Sequence, residues 1–261
     1  MAKQTLLELK NRGSAPQLTM VHVSSAEQAE AAEAAGIDML CGPFLPQTRT
    51  FPAAAPNTMY RFGLKYGQYV SADQCLRAAF DALECGADII YTAQSLEFVE
   101  AMAKQGIAVC GHLGLVPPKA SWTGGLRAVG KTAEQALTLF QQIKDLENAG
   151  AFAVELEVVP DRVADEIARR SSLVTISMGA GTGCDIQYLF SSDILGEAGP
   201  RVPRHAKVYR DFKAEYDRLQ QERIAAYQEF AQDVQSGAFP GPGNLVRISD
   251  EEYAKLMAHL A

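Results

Sequence analysis

The sequence predicts a (β/α)8 TIM barrel with an eroded early β/α unit and a C-terminal helical extension. Short β-branched runs alternate with Ala-rich amphipathic stretches through the first two-thirds of the chain. About six or seven such units can be recognised, and that number favours a closed barrel over an open sheet. The 261 residues, 48% of them hydrophobic, can bury a substantial core. We therefore expect residues 1–261 to form a single barrel domain, with 206–261 as its helical extension.

The first predicted helices begin at hydroxyl side chains that can cap them and end at glycines. Ser24 or Ser25 precedes the first clear helix, which runs to about Ala35, and Gly36 follows it. The later predicted helices are Ala72–Cys85, Leu96–Gln105, a helix between Thr132 and Gly150, and Asp161–Arg170. The predicted strands are Gln17–Val23, Ile37–Cys41, Asp88–Tyr91, Ile107–Cys110, Phe152–Glu157 and Leu173–Ser177. Such alternation is typical of parallel β/α units.

Three stretches interrupt the alternation. The Pro-rich segment Pro43–Tyr60 offers no clear helix, so one unit is expected to be eroded. Val116–Lys131 is a long loop rich in Pro and Gly, which is typical of a lid or a substrate wall. Ala206–Gln235 is predicted to be a long helix whose apolar stripe indicates core packing or an oligomer contact. A loop at Gly237–Gly243 and a helix at Asp250–Leu260 complete the extension.

Charge and composition narrow the range of partners. The net charge of −7 argues against nucleic-acid and anionic-membrane partners, but it leaves a small anionic substrate open. Met1 to Gly13 has no signal-peptide core, and no apolar run approaches the roughly 18 residues of a membrane span. The five cysteines include no pair with metal-finger spacing, which favours buried free thiols in a cytoplasmic protein.

Side chains that could carry chemistry follow the predicted strands, because barrel enzymes work at the carboxyl ends of their strands. Tyr91 and Glu157 end strands, and His112 lies two residues beyond Cys110. Gly42 and Phe44 follow another strand. The turn from Gly179 to Gly181 could hold an anion with backbone N–H groups, although a plain tight turn is an equal alternative.

Strand alternation puts Glu155 and Glu157 on one face of their strand. If that face points inward, two carboxylates share the lumen, where unpaired charges are costly. Two structural alternatives remain open, namely that Glu155 pairs with a lysine or arginine from a neighbouring strand, or that both carboxylates face solvent. His112 is equally open between a structural role and hydrogen bonding to a keto or enolate oxygen.

A chain of motifs resembles one known family. Val109-Cys110-Gly111-His112-Leu113-Gly114-Leu115 resembles the matching segment of ketopantoate hydroxymethyltransferase closely, and Glu157-Val158-Val159-Pro160 resembles its Glu-x-Val-Pro. Further similar elements are Met178 to Gly181 with Asp185 and Gln187, Pro203 with Lys207, and Ser236 to Gly241. The resemblance covers roughly Leu18 to Gly241.

The resemblance implies a (β/α)8 barrel related to phosphoenolpyruvate mutase and isocitrate lyase, and a homo-oligomer. It implies chemistry on a 2-oxo acid, in which an enolate adds to a one-carbon unit from methylenetetrahydrofolate. By residue, it implies that Glu157 is the base and that His112 binds the keto acid.

The departures from the family pattern concern its Mg²⁺ site. Pro43, Gly63 and Ala93 stand where the resemblance implies acidic metal ligands, and none offers a side-chain oxygen. Tyr91 replaces the lysine that grips the substrate carboxylate, and Phe44 replaces a serine. We therefore expect no metal ligands and no metal cofactor. His112, Tyr91, the amides near Gly42, or cations such as Lys65 or Arg49 would stabilise an enolate oxygen instead.

The sequence thus predicts a ketopantoate hydroxymethyltransferase-like enzyme that forms or cleaves a C–C bond of a 2-oxo acid or related carbonyl compound by aldol-type chemistry, without Mg²⁺. Its expected catalytic residues are His112, Glu157 and Tyr91, and its expected substrate-binding residues are Gly42, Phe44, Lys65, Gly179 and Gly181. Methylenetetrahydrofolate is the candidate co-substrate. Two alternatives stay open: the ordinary family reaction with relocated metal ligands, including Glu155, and a non-catalytic binding or subunit protein.

Overall fold

The computed structural model describes residues 3–13, 15–199 and 202–260. Within these residues, eight parallel strands close into a barrel in chain order. The strands are β1 Leu18–His22, β2 Met39–Pro43, β3 Met59–Gly63, β4 Ile89–Tyr91, β5 Val109–Gly114, β6 Ala153–Glu157, β7 Val174–Met178 and β8 Ile186–Phe190. The helices are α1 Leu6–Lys10, α2 Ala26–Ala34, α3 Phe51–Ala54, α4 Ala72–Glu84, α5 Leu96–Ala103, α6 Ala133–Asn148, α7 Asp161–Arg170, α8 Ser191–Ile194, α9 Phe212–Ser236 and α10 Asp250–Leu260. The predicted fold class is confirmed.

Hydroxyl caps fix the starts of the main barrel helices. The side chains of Ser25, Ser71 and Thr132 each accept a hydrogen bond from the backbone N–H three residues later. These bonds satisfy N–H groups that the first turn of a helix leaves without partners. Of the two serines left open by the sequence, Ser25 is the cap.

The eroded unit lies between β2 and β3. A 3₁₀ turn at Pro46–Thr48 and the four-residue α3 replace a full helix there. Proline lacks an N–H group and disfavours a helical residue before it, so this segment cannot build a long helix. The buried side chains of Phe51 and Pro52 still cover the barrel wall.

Two boundaries differ from the sequence prediction by four residues or more. Strand β5 does not end at Cys110 but continues to Gly114, because its pairing with β6 extends through His112↔Glu155 and Gly114↔Glu157. His112 therefore lies within a strand, and its backbone is held on the β6 side by the ladder. The long helix begins at Phe212 rather than Ala206, and the side chain of Asp211 caps it.

An apolar layer fills the lumen near the amino ends of the strands. Met20, Met39, Met59 and Ile89 point inward from consecutive strands, and each is 1% exposed. A second apolar layer lies between the strands and the helices. There, Gly111 of β5 is packed so closely that an added Cβ would lie 2.6 Å from a methyl carbon of Leu146. Because this layer closes one end of the lumen, a binding site in the barrel can open only at the carboxyl ends of the strands.

The chain forms two compact units, Met1–Arg210 and Asp211–Ala261. The first holds the barrel. The second holds α9 and α10, and no described side chain of either helix is buried. Along α9 the exposed apolar side chains include Tyr216, Leu219, Tyr227 and Phe230. None of the helices in the described ranges is both long and apolar enough to cross a membrane.

Candidate active site

A cavity of about 300 Å³ opens at the carboxyl end of the barrel. All eight strands contribute to its wall, from His22 of β1 to Phe190 of β8. Its floor is polar, unlike the methionine layer beneath, because Arg61 of β3 and Glu155 of β6 point inward there. The lumen therefore offers an enclosed, partly charged space to a small molecule.

Three side chains form a chain of polar contacts along one wall of this cavity. The hydroxyl of Tyr91 contacts Nδ1 of His112. Nε2 of His112 lies 3.2 Å from Oε2 of Glu157 and 2.8 Å from the backbone oxygen of Leu115. His112 and Glu157 are both 8% exposed, so the chain is shielded from bulk water.

The surroundings of His112 define its tautomer. Nε2 faces two oxygen atoms that can only accept, from Glu157 and Leu115, so the ring hydrogen belongs on Nε2. Nδ1 then accepts from Tyr91, whose pKa is raised well above its usual value by burial and by the nearby Glu155 carboxylate. Tyr91 therefore keeps its proton at neutral pH and is a hydrogen-bond donor.

A buried ion pair forms the floor. Nη1 of Arg61 lies 2.6 Å from Oε2 of Glu155, and both side chains are 4% exposed. The same nitrogen donates to the Cys110 sulfur at 3.4 Å. Glu155 thus pairs with an arginine, one of the alternatives left open by the sequence, although the partner comes from β3 rather than from an adjacent strand.

Aromatic rings fix the guanidinium of Arg61. Its central carbon lies 4.8 Å from the ring centre of Tyr91 and 5.3 Å from that of Tyr188. Such cation–π contacts hold a planar cation in one orientation. Beside it, burial raises the pKa of the Cys110 thiol to about 11, so this cysteine is protonated at neutral pH.

A second imidazole lines the opposite wall. His22 ends β1 and stacks on Phe190, with ring centres 4.5 Å apart. Burial, together with the positive charge of Arg61, lowers the pKa of His22 to about 4, although Glu155 opposes the shift. His22 is therefore neutral at pH 7.

Tight backbone packing holds Glu157 in place. Its backbone oxygen accepts from the N–H of Leu115 at 2.8 Å. Gly114 has a φ of +87°, and a Cβ there would lie 2.3 Å from that oxygen. Val158, the next residue, has a φ of +50°, which is strained for a β-branched side chain. The chain thus stores strain immediately beside the carboxylate.

The other sequence-predicted residues divide into two groups. Gly42 and Lys65 line the cavity together with His112, Glu157 and Tyr91. Phe44 does not, because strand alternation turns it outward, where it packs against Phe62 at 5.2 Å between ring centres. Arg49 lies over that ring of Phe44, with 5.0 Å from its central carbon to the ring centre.

The glycine turn after β7 lies outside the lumen. Gly179 lines a neighbouring groove, where its backbone approaches His205. Gly181 packs against the start of α7, since a Cβ there would lie 2.7 Å from Cβ of Asp161. Their positive φ values, 73° and 87°, are those of a tight turn, the alternative that the sequence left open.

Sequence reasoning missed Arg61 and did not assign a role to His22. The signal for Arg61 was present, because it is the charged residue in the strand Met59–Gly63 and lies two positions before Gly63. Alternation therefore places Arg61 and Gly63 on the same inward row.

The residues present can be tested against a divalent cation. Pro43, Gly63 and Ala93 all line the cavity, and none has a side-chain oxygen. His112, Glu155 and Glu157 each offer one ligand atom, and these atoms lie within 4.8 Å of one another. Mg²⁺ prefers six oxygen ligands, whereas this group includes an imidazole and a carboxylate already bound to a guanidinium. The donor set does not fit Mg²⁺.

Comparison with known proteins agrees with the motifs. The model of the ketopantoate hydroxymethyltransferase family matches residues 43–242. The 3-methyl-2-oxobutanoate hydroxymethyltransferase of Enterococcus faecalis is 34% identical over 80% of this chain and 75% of its own length. That of Ignicoccus hospitalis is 39% identical over 73% of this chain and 71% of its own length.

Among solved structures, 2,3-dimethylmalate lyase, a PEP mutase/isocitrate lyase superfamily member, matches with a TM-score of 0.52. It is 14% identical, and the match covers 98% of this chain and 99% of that chain, so this likeness shows the fold alone. The barrel, the motifs and the relatives agree on one conclusion. The chain belongs to the ketopantoate hydroxymethyltransferase family, a family of transferase-type enzymes.

Proposed function

We propose that this chain is a ketopantoate hydroxymethyltransferase-like enzyme that forms or cleaves a C–C bond of a 2-oxo acid or related carbonyl compound, without a divalent cation. The observation that carries the proposal is the Tyr91–His112–Glu157 chain beside an enclosed cavity. A carboxylate and a protonated phenol, joined through an imidazole, are the groups that enolate chemistry needs.

Glu157 is the proposed base. Its carboxylate takes a proton from the carbon next to the keto group, the C–H electron pair becomes the C=C bond, and the keto oxygen becomes an enolate oxygen. The enolate carbon then forms a C–C bond to formaldehyde, whose C=O electron pair moves to its oxygen, and that oxygen takes the proton from Glu157 to become the hydroxyl of the product. Methylenetetrahydrofolate is the proposed co-substrate: water replaces its two CH₂–N bonds with the C=O of formaldehyde, and the two water protons go to the nitrogens of tetrahydrofolate. In the cleavage direction the same steps run in reverse.

Tyr91 is the proposed donor to the enolate oxygen. A phenol has one hydrogen, and in this structure Nδ1 of His112 faces it. If His112 gains a proton on Nδ1, it donates to Tyr91, and the Tyr91 hydrogen becomes free for the substrate oxygen. His112 thus links the proton taken up by Glu157 to the hydrogen bond that Tyr91 can donate to the substrate. Gly42 and Lys65, which line the same cavity, are the proposed substrate contacts.

The exposed apolar side chains of α9 support a further expectation from the sequence, a homo-oligomer. Patches of this kind on soluble enzymes usually mark subunit contacts. Light scattering coupled to gel filtration tests this part: a monomer at micromolar concentration would contradict it.

A second candidate function is the ordinary family reaction with a metal held by relocated ligands. The close approach of His112, Glu155 and Glu157 is the observation that favours it. Two carboxylates and an imidazole suit Zn²⁺ or Mn²⁺ better than Mg²⁺. The third candidate, a binding protein without catalysis, lacks an observation that favours it over the other two.

Proton exchange separates the three candidates. Pyruvate, 2-oxobutanoate and 3-methyl-2-oxobutanoate are incubated with the protein in D₂O, and loss of the C3 proton is followed by NMR, in EDTA and with added divalent ions. We expect exchange in EDTA, its loss in Glu157→Gln, and normal exchange in Glu134→Gln, which removes an exposed carboxylate on α6. Exchange that requires an added ion would establish the second candidate. No exchange with any acid would contradict both enzymatic readings.

A further inference from the structure

Arg61 is an unusual residue for the inside of a barrel. It lies between Met59 and Gly63 on the inward row of β3, and it is 4% exposed. A guanidinium cannot give up its proton in a protein, so this position carries a permanent positive charge. Among the described residues its Nε atom is fully buried and has no hydrogen-bond partner, so the protein does not satisfy every donor of this guanidinium.

The charge of Arg61 lies against the His112–Glu155–Glu157 group, which among the described residues could hold a metal ion. Glu155 is one of the three potential ligands, and its Oε2 already lies 2.6 Å from Nη1 of Arg61. A divalent ion on this group would share Glu155 with a guanidinium in an enclosed space, where like charges repel strongly. Arg61 and a metal ion are therefore alternatives at this position.

The orientation of Arg61 also suits a small anion. Tyr91 and Tyr188 hold the guanidinium against rotation, and the small exposed part of Arg61 faces the cavity. A planar guanidinium matches the two oxygens of a carboxylate or of a carboxylate with its adjacent keto group. Lys65, two residues after Gly63, also lines the cavity and adds a second positive charge.

We propose that Arg61 is the resident cation of this active site: it stands in place of a divalent ion and binds the carboxylate and keto oxygens of a small planar acid. That the acid is a 2-oxo acid rests on the proposed function. The binding site itself does not, because any small planar dicarboxylate or 2-oxo acid would meet the same guanidinium.

Oxalate is the probe, since it is planar and cannot react. Its binding to the full-length protein is measured by calorimetry, once in EDTA and once with Mg²⁺ or Mn²⁺. We expect the same affinity in both buffers. Arg61→Met should weaken binding in EDTA by at least about ten-fold, the value of one charge-assisted hydrogen bond. Arg77→Met, which removes an exposed arginine on α4, should bind oxalate as the wild type does.

Metal binding gives an independent readout. With Arg61 removed, His112, Glu155 and Glu157 are free to act as ligands, so Arg61→Met should bind Mn²⁺, detected by electron paramagnetic resonance, and regain oxalate binding. The double variant R61M/E155Q should do neither. Wild-type oxalate binding that requires a divalent ion, or an Arg61→Met protein that binds oxalate normally in EDTA, would overturn the proposal.

If Arg61→Met does not fold, Arg61→Lys retains one charge but loses the planar pair of donors, and it should bind oxalate in EDTA more weakly than the wild type. Equal affinity would overturn the proposal. Oxalate binding is also measured without any turnover, so a chain that binds oxalate through Arg61 but exchanges no protons would contradict the proposed function alone.

Discussion

Arg61 of β3 and Glu155 of β6 form an ion pair inside the barrel, with 2.6 Å between Nη1 and Oε2. The two strands are not neighbours, so the pair bridges the lumen rather than a single sheet ladder. Both side chains are 4% exposed, and each charge is costly to bury without the other. The pair therefore contributes to the stability of the barrel and also sets the charge at the floor of the cavity.

Breaking this pair from one side should destabilise the protein more than removing both partners. Arg61→Met or Glu155→Gln should each lower the free energy of unfolding by about 3 to 5 kcal/mol, because a buried charge loses its partner. The double variant R61M/E155Q should lose less than either single variant, and so much less than their sum, since no unpaired charge remains. Urea unfolding followed by circular dichroism measures all four proteins. Simple additivity would show that the two charges do not depend on each other.

Removing the Tyr91 hydroxyl should slow proton exchange more than it weakens substrate binding. Tyr91→Phe leaves Nδ1 of His112 without its donor and removes the hydrogen proposed to reach the enolate oxygen. Loss of one such donor lowers a rate by about a hundred-fold. Exchange rates at saturating 2-oxo acid measure it, with Tyr253→Phe on α10 as the control. A change in KM alone would count against a role in the chemical step.

The stability of the barrel should depend on pH through His22. The pKa of His22 is lowered to about 4 in the folded protein, against 6.5 ordinarily, so the unfolded chain binds more protons between these values. Folding stability should then be complete above pH 6.5 and fall as the pH drops towards 4, by about 3 kcal/mol in total. Arg61 and Glu155 are the charged groups that face His22.

The measurement is the urea midpoint from pH 4 to pH 7 in wild type and in His22→Asn. Asparagine does not titrate, so the variant should lose the part of the slope that His22 contributes. Parallel pH profiles for the two proteins would show that His22 does not carry this dependence.

Gly114 should tolerate alanine poorly because it packs against Glu157. A Cβ would lie 2.3 Å from the backbone oxygen of Glu157 and would also require a φ of +87°. Gly106 has a similar φ of +78° but open space around it, so Gly106→Ala isolates the backbone strain. We expect a loss of about 1 to 2 kcal/mol for Gly106→Ala and about 2 to 5 kcal/mol for Gly114→Ala. Exchange should fall only in Gly114→Ala, and equal losses in stability would contradict the proposed clash.

Much of the architecture could be predicted because its signals are local. Helix caps such as Ser71 and Thr132, and stops such as Gly150, are read from a few neighbouring residues. Strand β8 was not recognised in the sequence, because Ile186–Phe190 is followed only by the four-residue helix α8 and so lacks a flanking long helix. The prolines between β2 and β3 correctly indicated the eroded unit.

The site was less accessible to sequence reasoning, since it depends on contacts across the lumen. His112, Glu157 and Tyr91 were found because they lie near strand ends. Arg61 was missed because its partner Glu155 is 94 positions away, and no local pattern joins a third strand to a sixth. Phe44 lies outside the cavity because it comes one residue after Pro43, which lines the cavity. A one-residue offset in a strand turns a side chain to the other face.

The methionine layer beneath the ion pair determines how molecules enter and leave the lumen. Met20, Met39 and Met59 close the lumen towards the amino ends of the strands, so every molecule enters and leaves at the carboxyl ends. A small acid seated on the floor would have to arrive before a bulkier partner stacked above it, and it could leave only after that partner had gone. Binding and release would then be ordered, and the order would come from the shape of the lumen rather than from any change in affinity.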